Sequence, residues 1–495
     1  MGNSRIMMLQ MLGSPERVLE ILSEANPWWE SGTVPETLTA AYRRRDFFVI
    51  RGKLQGRPIT ALAGPRQVGK TTIIYQLIQD LLSNGWDPKR ILFVSFDLPS
   101  LGLYSQQPLN DAIRTYEERV LREPLRTLDG PVYIFLDEIT KTVNWHRDLK
   151  GWYDFRYPIR FLISSSSNSE LQSGASESLT GRVATHLLMT WKFVDVMSLR
   201  AGDPGVNDPY LEARSALPVS LRKRDAGPIF SKLKGARPIS ARQRMALRTA
   251  LDWYLLVDGY PELIRSDDLH HCARRLDEYV KLTLAQDLYR FHKIRSTTRV
   301  LEDLLSLVAG QSGGLASYTQ LAEPLGLDER TLAEYLDYLE GAFLISRAYY
   351  YSKRRDARLR KMRKIYVPNP GLLNVFLGRV DPAVLKDPNE MGRLVESVVH
   401  GYAKRLAFNL SPGPSPPIYY WRDRHDHEVD IVIEYQGNPI PIEVKYRPDP
   451  KRDLDGLRHF IEEKNPPFGI VVTRDLLDFE PPVLYVPFAD FLLLA

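Results

Sequence analysis

One short segment restricts this chain more than any other. Gly64-Pro65-Arg66-Gln67-Val68-Gly69-Lys70-Thr71 fills every specified position of the pattern G-x-x-x-x-G-K-[ST]. An apolar run, Pro58–Ala63, precedes it, and a helix-patterned stretch follows from Lys70 through Leu82. A loop between a buried strand and a helix start turns its backbone N–H groups toward anions, and the helix dipole adds to the attraction. Gly64 and Gly69 permit close backbone approach. In this geometry Lys70 bridges the β and γ phosphates of ATP, and the Thr71 hydroxyl ligates Mg²⁺. A chance match in a strand–turn–helix unit is the competing reading, and the flanking pattern speaks against it.

More apolar, strand-like runs follow at Ile91–Phe96, Val132–Leu136 and Arg160–Ile163, separated by helical patterns. Buried strands alternating with helices predict an α/β core, a parallel sheet with helices on both faces. The run Val132–Leu136 ends in Asp137-Glu138. That places two carboxylates at the carboxyl end of a strand, where open α/β sheets bind ligands. Asp137 is expected to hold Mg²⁺ through water, and Glu138 to polarise the attacking water. The run Arg160–Ile163 opens into Ser164-Ser165-Ser166-Ser167-Asn168, where Ser165 is the chosen γ-phosphate sensor, with Ser166 the alternative. Arg182 is a candidate arginine finger or nucleotide sensor, with a solvated surface role as the rival. A finger implies a homo-oligomer.

Bulk composition narrows the remaining options. At 495 residues, several domains are expected. The net charge is only +5, so a polyanion site must be a local patch. A single cysteine, Cys272, excludes disulfides and cysteine-built zinc sites within one chain, and a cytoplasmic compartment is expected. No apolar run is long enough to predict a membrane span. The expected divisions are 1–55, an N-terminal helical region; 56–200, the P-loop core; 201–240, an inserted linker rich in Pro and Gly; 241–300, a helical lid; 301–380, a winged-helix region; and 385–495, a tail of one helix and short strands.

These motifs together resemble a prokaryotic AAA-type ATPase family whose C-terminal domain is restriction-endonuclease-like. The likeness is carried by Gly64–Thr72, which adds Thr72 to the nucleotide-binding segment. It is carried further by Phe135–Ile139 with Asn144-Trp145, the serine turn, Ser178–Arg182 and Gly259-Tyr260-Pro261-Glu262. Two features depart from it: the sensor turn is entered through Ile163-Ser164, and the 201–240 segment is long and basic.

Residues 317–346 have helix–turn–helix form. The turn falls at Gly326, the cap at Asp328 or Glu329, and Leu332, Tyr335, Leu336 and Leu339 mark the buried face. After Tyr349, Tyr350 and Tyr351 comes a basic, hairpin-like wing that carries Lys353, Arg354, Arg355, Arg358, Arg360, Lys361, Arg363 and Lys364. Such a cluster suits sequence-independent contacts to DNA phosphates. Acidic residues on the presumed recognition helix argue against base reading.

The tail contains Glu396 on an amphipathic segment, Asp430 at the end of a strand-like run, and Glu443-Val444-Lys445. Strand alternation puts Glu443 and Lys445 on one face. This arrangement resembles the PD-(D/E)xK nuclease superfamily. The resemblance implies that Asp430 and Glu443 share a divalent metal, with Glu396 nearby and Lys445 orienting water. Few carboxylate ligands favour Mg²⁺. Cleavage, and binding without cleavage, both stay open. So do two overall functions: an ATPase acting on or recruited to DNA, and a nucleotide-gated switch for protein partners with an inactive tail. His425 and His427 lack two further clear ligands for zinc.

Overall fold

The computed structural model describes residues 15–97, 105, 107–168, 171, 178–201, 207–237, 240–288, 298–411 and 416–494. They form two compact units, Met1–Met189 and Thr190–Ala495. Among the described residues, no helix is long and apolar enough to cross a membrane.

The first unit is built on a parallel five-stranded sheet. Its strands are β1 (Ile59–Ala63), β2 (Ile91–Ser95), β3 (Val132–Asp137), β4 (Ile159–Ser165) and β5 (Val183–Leu187), in the order β2-β3-β4-β1-β5. All of β1 and β3 is buried, as continuous apolar strands of a covered parallel sheet should be. β1 lies between β4 and β5, with Ala63 level with Ser165 and Leu187. The carboxyl ends of three strands therefore converge where the phosphate loop begins. The N-terminal segment closes the β2 edge. Asn26 donates to the Phe93 carbonyl (2.8 Å) and accepts from its N–H (2.6 Å), and the Trp28 and Trp29 indoles donate to Ile91 O. At Ile91 and Phe93 the outer edge of β2 is thereby occupied, which hinders pairing with another chain there.

The second unit contains a nine-stranded sheet. Its strands are β6 (Leu315–Ala316), β7 (Ser346–Tyr350), β8 (Arg363–Tyr366), β9 (Ile418–Arg422), β10 (Glu428–Tyr435), β11 (Asn438–Lys445), β12 (Gly469–Thr473), β13 (Asp478–Glu480) and β14 (Val483–Pro487). They are ordered β13-β14-β12-β11-β10-β9-β7-β8-β6. Regions 301–380 and 385–495, expected as separate domains, thus share one sheet through the parallel pair β7–β9. The tyrosine run Tyr349–Tyr351 lies at this junction, where Tyr351 packs with Tyr419 and Phe460.

Two expectations are corrected here. Residues 201–240 are not a linker in their described part: Asn207–Lys223 and Gly227–Ala236 are helices. Tyr210, Ala213, Leu217 and Leu221 are buried at helical spacing, a stripe that Pro218 and Pro228 mask in the sequence. Pro228 sits in the first turn of its helix, where its missing N–H costs nothing. The basic stretch is not a plain hairpin either. The helix Arg355–Arg360 stands between β7 and β8. The helix Glu329–Gly341 is capped by Asp328, which accepts from Thr331 N–H (2.9 Å), and it buries Leu332, Tyr335, Leu336 and Leu339. Gly326 makes the preceding turn at φ 62°.

Candidate nucleotide site and carboxylate cluster

The phosphate loop runs from the end of β1 to the helix Lys70–Ser83. Gly64 presses against the chain after β5: a Cβ there would lie 2.0 Å from Leu188 O, so any side chain would force the loop out of place. Gln67 and Gly69 take positive φ, 62° and 91°, and turn the chain into the helix. Arg44, 3% exposed, pins the loop from behind by donating to Val68 O (3.4 Å) and Met189 O (3.1 Å) while pairing with Asp46 at 2.8 Å. The sequence reading missed this residue. Arg43-Arg44-Arg45 looks like a surface basic run, and only the fold turns the middle one inward.

Lys70 is buried. Its Nζ donates to Gly64 O (2.9 Å) and Pro65 O (3.1 Å) and lies 3.1 Å from Glu138 Oε1. Thr71 Oγ1 donates to Asp137 Oδ2 at 2.8 Å. Burial and the neighbouring Glu138 push the Asp137 carboxyl above the usual range, against hydrogen bonds from Ser164 and Thr71. Burial also works against a charged Glu138, but Lys70, the Ser166 N–H and Arg66 outweigh it and hold that carboxyl low. The two acids are thus split. The Glu138 carboxyl is held low by its cationic and N–H partners, and the buried Asp137 carboxyl, held high, gains from a nearby cation.

The serine turn acts on both acids, but not through Ser165. Ser164 Oγ donates to Asp137 Oδ1 and accepts from Glu138 N–H (2.9 Å), and Ser166 binds Glu138 Oε2 through its N–H (2.8 Å) and hydroxyl (2.9 Å). The Ser165 hydroxyl is taken up by Ser167 O within the turn and by Thr140 in the short helix Ile139–Lys141 after β3. Strand alternation explains this, since neighbouring side chains point to opposite faces. Arg182 lies elsewhere, which leaves only the finger given to a neighbouring copy and not the sensor of its own site. Its carbonyl accepts from Ile59 N–H at the start of β1, and its guanidinium pairs with Asp154 at 2.7 Å. It sits at the sheet edge opposite the phosphate loop and does not reach the site in its own chain.

In the second unit, the tail residues singled out from sequence come together. Asp430 is on β10, Glu443 and Lys445 are on β11, and Glu396 is on the helix Pro388–Leu410. Val444 N–H donates to Asp430 Oδ2 (3.0 Å), Asp430 N–H approaches Glu443 Oε2 (3.4 Å), and Lys445 Nζ bonds Glu443 Oε1 (2.7 Å). Burial, then Asp430, raises the carboxyls of both Glu396 and Glu443.

A residue assigned to DNA completes this cluster. Lys364, on β8, is 3% exposed. It pairs with Glu428 and lies 3.7 Å from both Glu396 and Asp430. Burial opposes its charge, but the three carboxylates hold its ammonium above the usual lysine range. It is therefore no phosphate contact. As the eighth member of a basic run, Lys364 carries no sign in its residue type that its strand turns it inward.

Two other members of that run are also hydrogen-bonded inside the chain, and a third, Lys361, has its ammonium 5.7 Å from the centroid of the Tyr350 ring. Arg358 donates to Tyr419 OH (2.6 Å) and stacks over its ring, and Arg363 lies over Tyr349 and donates to Tyr318 OH (3.2 Å). Lys353, Arg354 and Lys361 are exposed. The side chains of Arg355 and Arg360 lie outside the described residues. The segment Gly259–Glu262 has a packing role: a Cβ on Gly259 would fall 2.1 Å from Trp191 O, and Glu262 pairs with Arg275 at 2.8 Å.

Comparison with known proteins agrees with the first site. Residues 56–197 match an AAA domain. Residues 248–383 and 391–487 match two domains of unknown function, DUF8612 and DUF4143. An uncharacterised protein of Mycobacterium bovis is 27% identical over 398 residues, 80% of this chain and 72% of that protein. An uncharacterised protein of Methanocaldococcus jannaschii is 24% identical over 465 residues, 91% of this chain and 89% of that protein. A solved structure of yeast Hsp104 with casein overlaps 67% of this chain and 60% of that one at 15% identity, with a TM-score of 0.26, too slight an overlap to argue from. Over residues 56–197 the chain is thus similar to AAA domains, which supports an ATPase-type P-loop core in the segment that holds the loop, the lysine and the acid pair.

Proposed function

We propose that this chain hydrolyses ATP as an AAA-type ATPase recruited to DNA. One observation carries the hydrolytic reading: Lys70, Thr71, Asp137 and Glu138 meet at the carboxyl end of the sheet, with the Asp137 carboxyl pushed up by burial and Glu138 and the Glu138 carboxyl held low by Lys70, the Ser166 N–H and Arg66. Thr71 and Asp137 offer hard oxygen donors side by side, and Asp137 is a buried carboxylate whose charge is disfavoured without a cation, so the pair fits Mg²⁺. Bound there, Mg²⁺ supplies positive charge to the phosphates. The loop amides hold the phosphates, Lys70 neutralises them, and Glu138 takes up the proton of the attacking water. Since Arg182 stands away from its own site, any charge it lends to a transition state goes to a neighbouring copy. A homo-oligomer is therefore part of the proposal.

The DNA reading rests on the helix–turn–helix unit, read as a winged helix, and on the exposed Lys353, Arg354 and Lys361. These suit backbone contacts without base reading. The second reading, a switch for protein partners with an inactive nuclease-like tail, is favoured by Lys364. The cluster of Glu396, Asp430 and Glu428 already holds a cation from its own chain, and Lys445 already sits on Glu443, so a metal at Asp430 and Glu443 would compete with both ammonium groups.

ATP turnover with Mg²⁺, measured with and without duplex, single-stranded and branched DNA and scored for cleavage, separates the two. Recruitment is expected to show as salt-sensitive DNA binding. Replacing Lys353, Arg354 and Lys361 together by Glu should flatten the plot of log affinity against log salt by about 2–3 on duplex DNA. Absence of DNA binding at low salt overturns recruitment and leaves the switch reading.

A further inference from the structure

The turn between β9 and β10 brings together three side chains that neither proposed site uses. Asp423 accepts N–H bonds from His425 (2.7 Å) and His427 (3.0 Å) on Oδ1, which fixes its carboxylate in the turn. Its other oxygen, Oδ2, lies 2.8 Å from His427 Nδ1 and 3.7 Å from His459 Nε2. His459 comes from the helix Asp455–Lys464, whose Leu457 and Phe460 are buried in the core beneath. The His427 and His459 rings face one another at 5.1 Å between centroids, and Trp421 packs against His459. The three ligand atoms lie within 4.8 Å of one another.

We propose that Asp423, His427 and His459 bind a transition-metal ion of the Zn²⁺ class. Two imidazoles and one carboxylate form a donor set that suits Zn²⁺ and is too nitrogen-rich for Mg²⁺. Metal–ligand bonds of about 2.0–2.2 Å in a tetrahedral site put ligand atoms about 3.3–3.5 Å apart. The present spacings bracket that range, and His459, 46% exposed in its side chain, has room to close the gap. The N–H bonds to Oδ1 supply the outer support that orients a ligating carboxylate. The ion would tie the β9–β10 turn to the helix Asp455–Lys464 and leave a fourth position to water. The turn leads directly into β10, so the clamp would fix the strand that carries Glu428 and Asp430.

Sequence pattern did not reveal this set. His425 and His427 drew attention, but the structure selects His427 and adds His459, 32 residues further on, together with Asp423.

The test is calorimetric titration of Zn²⁺ into the full chain without a polyhistidine tag, with millimolar Mg²⁺ present throughout. One tight equivalent is expected. His427→Ala and His459→Ala should each weaken it by about 10- to 100-fold or more, and Asp430→Asn should leave it unchanged. Co²⁺ should give a visible absorption band in the wild type that is lost in His459→Ala. Thermal unfolding in EDTA checks that the variants fold, and His459→Gln serves if the alanine variant does not. Absence of Zn²⁺ uptake at micromolar concentrations, or unchanged affinity in both histidine variants, overturns the proposal. Either result leaves the nucleotide site untouched.

Discussion

Glu138→Gln is expected to slow ATP hydrolysis by about 10²–10⁴-fold, the range lost when a general base is removed, while ATP binding is kept. Each part follows from the geometry. The Gln side chain still offers an oxygen to the Ser166 N–H and hydroxyl, so the turn keeps its anchor. What disappears is the basic oxygen that takes up the proton. Two changes favour binding. Lys70 loses a carboxylate partner at 3.1 Å and is freer to meet phosphate. Asp137 loses the neighbouring charge that, after burial, raises its carboxyl most, so it ionises more readily and holds a cation better. Steady-state phosphate release and nucleotide binding measured on the same preparation check both halves. A variant that hydrolyses at the wild-type rate would remove Glu138 from the chemistry.

Lys364→Ala is expected to cost about 3–5 kcal/mol of stability at neutral pH, as breaking a buried ion-pair group does when it strands the partner charges. Glu396, Glu428 and Asp430 would then face one another without the ammonium. The sign of the pH dependence follows from the folded-state shifts. The carboxyls of Glu396 and Glu443 lie above their usual range because of burial and Asp430. Between the unfolded and folded values, the folded chain binds more protons than the unfolded one. That part of the stability therefore grows as pH falls through the folded values and is lost as pH rises through them. Removing Lys364 adds to the raising influence, so the deficit against wild type should shrink as pH is lowered from alkaline toward the ordinary glutamate range. Denaturant unfolding in EDTA at several pH values measures it. A deficit that stays constant over that range would show that the lysine acts through packing alone.

The candidate nucleotide site is legible because its signals are local. Gly64, Gly69, Lys70 and Thr71 are fixed by the backbone demands of one turn, and Asp137-Glu138 by the end of one apolar strand. The tail acids were legible for a similar reason: Glu443 and Lys445 share a face by strand alternation alone. What the sequence concealed was set by distant partners. Lys364 reads as one more basic residue until β8 is seen to turn it toward Glu396 and Asp430. Arg44 reads as surface until the loop closes over it. Ser164 and Ser166 differ from Ser165 only in the face they take on β4 and the turn beyond it, and the register of a serine run is not written in its composition. The helices at 207–236 are hidden in the sequence because prolines speak for breaks, although Pro218 lies inside one helix and Pro228 in the first turn of the other, where proline is tolerated.

The most direct test is calorimetric titration of ATP with Mg²⁺ into the wild-type chain, Glu138→Gln and Lys70→Ala. Saturable binding to the first two and its loss in Lys70→Ala is the expected result, since the loop amides and Lys70 together hold the phosphates. Absence of ATP uptake by the wild type, or equal affinity in Lys70→Ala, would contradict a nucleotide site at the end of β1.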